Sequence, residues 1–187
     1  MKHEATNEAT KRGALEGTGE GRGGTSPMAK RASMASIVWL VVFILVVLGV
    51  SALGGMATDT RGWFEALTKP AFNPPSWVFG PVWTVLYVMM AVAAWRVLLR
   101  AGWAAARRAM TLFGVQLALN LAWSWLFFAA QRPDLALVDI VALDLAVLAT
   151  GWAFRRHDRL AAWLLVPYAC WIAFATALNA DFVRLNP

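Results

Sequence analysis

Five stretches of the chain run uncharged, or nearly so, for the length of a lipid bilayer. Positions 32–58 carry no charge between Arg31 and Asp59, 70–95 none between Lys69 and Arg96, and 109–131 none between Arg108 and Arg132. The fourth, between Asp134 and Arg155, holds only Asp139 and Asp144; the fifth runs from Leu160 to Ala180, between Arg159 and Asp181. A membrane helix needs about 20 apolar residues, and no stretch alternates as a membrane β-strand does. The pattern predicts an all-α integral membrane protein, a bundle of five transmembrane helices at roughly 34–57, 77–99, 108–131, 135–154 and 160–182. Residues 1–33 are rich in Gly, Thr, Glu, Lys and Arg and carry almost no large apolar residue beyond Leu15. Such a segment buries too little surface to offset its ordering entropy, so it reads as a disordered polar tail ahead of a membrane domain, 34–187. The apolar run after it is too long for a signal peptide.

Composition agrees: 59% of residues are hydrophobic and only 15% charged. The single cysteine, Cys170, excludes an internal disulfide framework. The net charge of +6 is no nucleic-acid signature, because the basic residues sit in the tail and between apolar runs. Their distribution predicts an orientation. With the N-terminus inside, thirteen Lys and Arg fall inside: six in the tail, then Arg96, Arg100, Arg107, Arg108, Arg155, Arg156 and Arg159. Only Arg61, Lys69, Arg132 and Arg184 fall outside. The N-terminus is therefore expected in the cytoplasm and the loop 59–76 outside, with long apolar helices favouring a bacterial inner membrane over an outer one.

Eleven tryptophans against two tyrosines is an unusual balance. Trp39, Trp63, Trp77, Trp95, Trp103, Trp152 and Trp163 fall near expected interfaces, where the amphipathic indole is at home. Trp83, Trp123, Trp125 and Trp171 fall within apolar runs, where a buried indole N–H needs a partner. From the helical rise, Trp83 lies roughly 9 Å and Trp171 roughly 15 Å below the outer side. Asn120 lies roughly 16 Å down, Asp139 roughly 8 Å and Asp144 roughly 15 Å. Polar groups and deep indoles thus converge in one layer beneath the 59–76 loop, predicting an outward-opening pocket. The loop makes a suitable lid: Pro70, Pro74 and Pro75 restrict its backbone, and Trp63, Phe64, Leu67 and Phe72 give it an apolar underside.

Several of these residues also have structural readings. Asp139 and Asp144 are costly in lipid; five residues apart, they cannot share a helix face, so at most one points at a ligand. The alternative partners are Asn120, Gln116 or an indole N–H. Pro167 removes one backbone bond from the last helix. Gly114, Ala118 and Ala122 form a small-residue ridge that suits close packing, within the bundle or across a homodimer. Nothing in the membrane domain matches a nucleotide-binding glycine motif. His3 and His157 both lie away from the pocket layer, so no histidine is placed there for a metal or haem iron, and Cys170 reads as a small buried residue.

The segment Lys69-Pro70, Pro74-Pro75, Trp77, Phe79-Gly80-Pro81, Trp83 and Leu86-Tyr87 carries a family resemblance. So do Gln116, Asn120, Trp123-Ser124 and Phe127-Phe128, then Asp139, then Pro167-Tyr168, Trp171, Phe174-Ala175 and Leu178-Asn179. Over residues 35–187 the chain resembles the TspO/MBR family of tryptophan-rich sensory and translocator proteins (the peripheral benzodiazepine receptor family). That resemblance implies a five-helix membrane protein, often a homodimer, binding porphyrins, haem, sterols and benzodiazepine-type ligands. It implies pocket positions at Trp83, Trp171 and Asn120; the full ligand site expected is Trp83, Tyr87, Gln116, Asn120, Trp123, Asp139, Trp171, Phe174 and Ala175, under a lid containing Trp63, Phe72, Pro74 and Pro75. Vertebrate members carry a sterol-recognition tyrosine near the end of the last helix; Phe182 stands here, which weighs against sterol binding. The leading expectation is a receptor or sensor for protoporphyrin-type ligands or haem, with no required cofactor and no metal site. Two alternatives are a light- and oxygen-dependent porphyrin-degrading enzyme, with Trp83 and Trp171 as its oxidisable residues, and a tetrapyrrole or sterol transporter.

Overall fold

The apolar runs become helices because lipid offers a backbone amide no other partner. The computed structural model describes residues 27–58 and 62–187, with side chains from 34 onward, and every regular element among the described residues is helical. α1 is Pro27–Ala57, α2 Trp63–Ala66, α3 Ser76–Ser124, α4 Pro133–Arg155, α5 Arg159–Leu164 and α6 Val166–Leu185; a π-helical turn, Trp125–Ala129, extends α3. Four helical stretches are long and apolar enough to cross a membrane: Met34–Ala57, Ser76–Ala129, Pro133–Arg155 and Arg159–Leu185. The expected disordered tail lies, up to position 26, outside the described residues. From Pro27 the backbone is already helical, so the helix begins before the expected boundary at 34. Pro27 opens it in the first turn, where its missing N–H has no partner to lose.

The second and third expected helices join. α3 runs for 49 residues, and the polar loop expected between 99 and 108 is helical apart from one residue, Gly102, at φ 70° and ψ 165°. Arg and Ala are strong helix formers, so charge alone does not end a helix; the arginines here extend their heads outward along its surface. The reversal needs positive φ, which glycine adopts without a Cβ penalty. The arms 76–101 and 103–124 then fold back on each other. Tyr87 meets Asn120 and Met90 meets Gln116, so contact advances along one arm as it retreats along the other. Ala91, Ala93 and Ala94 on one arm and Ala106 and Ala109 on the other are fully or almost fully buried. α1 packs alongside through Trp39 on Trp103 and Phe43 on Phe113, and the Trp95 indole donates to the Ser36 carbonyl at 2.8 Å.

The last expected helix is divided. α5 ends at Leu164 and α6 begins at Val166, with Pro167 inside the first turn of α6. Pro167 has no N–H to offer the Trp163 carbonyl, and the chain bends where that bond is missing.

Asp158 anchors this end of the bundle. Its Oδ1 accepts from the Leu160 and Ala161 amides at 2.8 and 3.3 Å, capping α5. Its Oδ2 faces Arg96 Nη2 at 2.9 Å and Arg100 Nε at 3.0 Å, both on the first arm of α3. Burial pushes this carboxyl up, but the two amides and the two guanidinium groups outweigh it, leaving it below the ordinary carboxylate value. A pKa lowered by folding contributes stability above the unfolded value of about 3.9, and that contribution disappears as pH falls through the folded value. Asp158→Ala should therefore cost about 1–3 kcal/mol at neutral pH, from a lost cap and an uncompensated cation pair. In detergent micelles the parent's melting temperature should fall steeply below about pH 4 and the variant's less so. Superimposable melting curves would show that Asp158 does not hold the α3–α5 junction.

Candidate functional site

At the other end of the bundle lies a cavity of about 270 Å³ with mostly aromatic walls. The first arm of α3 supplies Phe79, Gly80 and Trp83. The second arm and its π turn supply Trp123, Ser124, Phe127 and Phe128. α6 supplies Trp171, Phe174, Ala175, Leu178, Asn179 and Phe182, and Phe64, Asn73 and Ser76 come from the 62–76 segment. Of the residues expected to line a site, Trp83, Trp123, Trp171, Phe174 and Ala175 do so. Trp83 and Trp171 meet edge to face, with ring centroids 6.4 Å apart and planes at 85°. That arrangement opposes the positive edge of one indole to the negative face of the other. Phe79 holds the far side of Trp171 at 5.9 Å.

Tyr87 and Asn120 lie behind the wall, as its support. The Tyr87 hydroxyl donates to Asn120 Oδ1 at 2.6 Å, and Asn120 Nδ2 donates to the Tyr168 hydroxyl at 3.2 Å. Both tyrosine rings pack on Trp83, at 5.4 and 6.2 Å, and fix its orientation. Gln116 is buried deeper still, with Nε2 on Met90 Sδ at 3.6 Å. Asp139, half-buried on α4, stands outside the cavity lining. Asp144 is tied to another helix, accepting at 2.8 Å from the Thr176 hydroxyl instead of from Asn120, Gln116 or an indole. Trp125, counted among the deep indoles, is 48% exposed on the outer face of the π turn. Cys170, read as buried, is exposed. Gly114 and Ala118 lie open on the bundle surface and Ala122 is half-exposed.

The π turn is the feature sequence spacing could not give. An Ala130 amide bonded to the Trp125 carbonyl at 2.8 Å widens the last turn. In a regular helix, 123 and 127 share a face and 128 rotates away. Here Trp123 stacks on Phe127 at 5.4 Å while Phe128 also faces the cavity, 6.1 Å from Trp123. The Trp123 indole finds its partner in Asn179 Oδ1 at 3.0 Å, and Asn179 Nδ2 closes the chain on the Pro133 carbonyl at 2.8 Å.

The 62–76 segment covers the mouth. Phe64 is buried against Phe128 and Phe182, both at 5.5 Å, and lines the cavity. Trp63 packs edge-on against Phe127 at 6.0 Å, and Phe72, itself exposed, reaches Phe174 at 6.1 Å. Pro74 and Pro75 shape the descent into α3 without lining the cavity. Arg61 falls outside the described residues. Lys69 Nζ lies 5.4 Å over the Phe64 ring. Asn73 lines the cavity with Oδ1 buried and without a hydrogen-bond partner, an acceptor available to a ligand N–H or O–H. Asn186, which no sequence pattern singles out, latches the segment. Its Oδ1 accepts from the Thr68 amide at 2.8 Å and its Nδ2 donates to the Thr68 carbonyl at 3.1 Å, joining positions 118 residues apart. Among the described residues, no three His, Cys, Asp or Glu side chains gather to hold a metal ion.

The sequence model of the TspO/MBR family matches residues 32–185. A protein named "Tryptophan-rich protein TspO" from Archaeoglobus fulgidus is 41% identical over 153 residues, 81% of this chain and 99% of the relative. One of the same name from Chlorobaculum tepidum is 46% identical over 127 residues, 67% of this chain and 80% of its own. The Homo sapiens "Translocator protein" is 41% identical over 126 residues, 66% of this chain and 75% of the relative.

Removing the Asn186 side chain deletes three hydrogen bonds, two to Thr68 and one to the Phe182 carbonyl, each worth about 1 kcal/mol. In Asn186→Ala, amide exchange over 63–70 should accelerate about tenfold, with the α3 and α6 cores unchanged. Unaltered exchange in that segment would show that the packing of Phe64 alone holds it down.

Proposed function

The chain belongs to the TspO/MBR family, and on that premise we propose that it is a membrane receptor or sensor for porphyrin-type ligands, protoporphyrin or haem. The observation that carries this reading is the pair Trp83 and Trp171, set edge to face on the wall of the aromatic cavity. A flat, polarisable ring system gains stacking area on such walls. The cavity, about 270 Å³, falls just under the range of about 300–1,000 Å³ usual for small-molecule sites. A tetrapyrrole therefore enters with the 62–76 segment raised. Its carboxylates turn toward the mouth, where Lys69 stands, and a polar hydrogen reaches Asn73 Oδ1. Phe182, buried under Phe64, presents no hydroxyl to a sterol.

The finer architecture follows the same reading. Each arm of α3 is long enough for its own crossing, so α3 crosses twice and the bundle five times. The basic bias supports a reading with Gly102 and Asp158 on the cytoplasmic side and the cavity mouth outside, and long apolar helices favour a bacterial inner membrane. Gly114 and Ala118, open on the surface, and the half-exposed Ala122 are the homodimer contact. A second reading, oxygen- and light-dependent porphyrin breakdown, is favoured by one observation: two oxidisable indoles flank the ligand position.

Porphyrin titration followed by fluorescence quenching tests the binding site. Trp83→Ala and Trp171→Ala should each weaken binding about tenfold, and Trp125→Ala should leave it unchanged. Equal affinity in all three would remove the assignment. Illuminating the parent complex with and without oxygen separates the readings, since only an enzyme degrades the bound ligand catalytically. For orientation, a reporter fused after Asn186 should read extracytoplasmic and one inserted at Gly102 cytoplasmic; the reverse pattern would put the mouth in the cytoplasm.

A further inference from the structure

A second concavity, about 570 Å³, opens at the end of the bundle that carries Asp158, remote from the aromatic cavity. Its walls are apolar and low: Val147, Leu148 and Gly151 on α4, Ala162 on α5, and Val166 and Ala169 on α6. The bend at Leu165 lies on its wall, where small residues and the interrupted helix leave space. Its rim is of another character. Arg155 and Arg159 line it, both exposed and neither in an ion pair among the described residues. Trp152 and Trp163 flank them, 56% and 67% exposed. Arg156 adds a third cation and is held in place with its guanidinium 3.7 Å over the Trp152 ring. The neighbouring carboxylate, Asp158, is buried and committed to Arg96 and Arg100, so it does not neutralise this rim.

We propose that this groove is a binding site for an anionic phospholipid of the adjacent leaflet. Its phosphate sits between Arg155 and Arg159 and one acyl chain lies along α4 and α6. Guanidinium forks match phosphate oxygens, and exposed indoles mark headgroup depth. Apolar walls below a cationic rim fit a molecule with a charged head and an apolar tail; a free phosphate would leave the walls uncovered. A second copy of the chain fits poorly, because a two-fold contact at this groove would bring the same arginines face to face. Three unneutralised cations favour an anionic headgroup over a zwitterionic one.

The test uses the full chain in bilayer nanodiscs of phosphatidylcholine with a minor fraction of phosphatidylglycerol, with retained lipids counted by native mass spectrometry. The parent should retain phosphatidylglycerol over phosphatidylcholine by about tenfold relative to the bulk ratio. Arg155→Gln combined with Arg159→Gln should bring that preference close to unity. Gly151→Leu should displace the retained lipid of either kind, since a side chain at 151 meets nothing within 4 Å and points into open groove. Leucine is also the better helix former, so the variant keeps its fold, checked by its melting temperature. Millimolar glycerol phosphate should not compete. Absence of preference in the parent, or an unchanged preference in both variants, would overturn the site. So would displacement by glycerol phosphate, or a Gly151→Leu variant that changes oligomeric state but not lipid count.

Discussion

The Tyr87 hydroxyl bonded to Asn120 at 2.6 Å, and through it to Tyr168, is the contact on which the rest of the bundle is built. It joins both arms of α3 and α6 at one depth. In a low-dielectric interior such a chain of bonds is strong when complete and costly when broken. Sliding one arm past the other by a single residue would leave a buried amide and two hydroxyls without partners. The network therefore sets the register of the hairpin that Gly102 begins. The same two tyrosine rings are the bed on which Trp83 lies, so register and cavity geometry are one constraint.

Above that layer the bundle changes from polar links to aromatic packing. Phe64, Phe127, Leu178 and Phe182 form a separate small core beneath the covering segment. It is held partly by ring contacts and partly by the Asn186 latch on Thr68. Both are modest, removable interactions, unlike the buried network below. A rigid floor with a weakly held cover is the arrangement that the proposed entry of a flat ligand requires.

The opposite end is organised by charge. Asp158 draws Arg96 and Arg100 onto the start of α5 and leaves Arg155, Arg156 and Arg159 at the surface. Counting basic residues treats all of these alike; the folded chain divides them into structural ligands of one carboxylate and a free rim.

The uncharged runs along the chain are enough to establish a helical membrane protein. The length and apolarity of the runs decide it, because lipid forbids unsatisfied backbone regardless of detail. That Trp83 and Trp171 fall in one layer was legible for a related reason: rise per residue is constant along a helix. Rotation about the helix axis was not. Trp125 turned outward, Phe128 turned inward and Asp139 missed the cavity, because a π turn and the packing of neighbours set the facing of each side chain. The cluster of arginines predicts a loop at the Gly102 hairpin, whereas a single positive φ in an otherwise helical stretch reverses the chain. Asn186 on Thr68 and Asp158 on Arg96 join residues far apart in sequence. Only the folded chain brings such partners together, since nothing in the local pattern of either segment encodes the other.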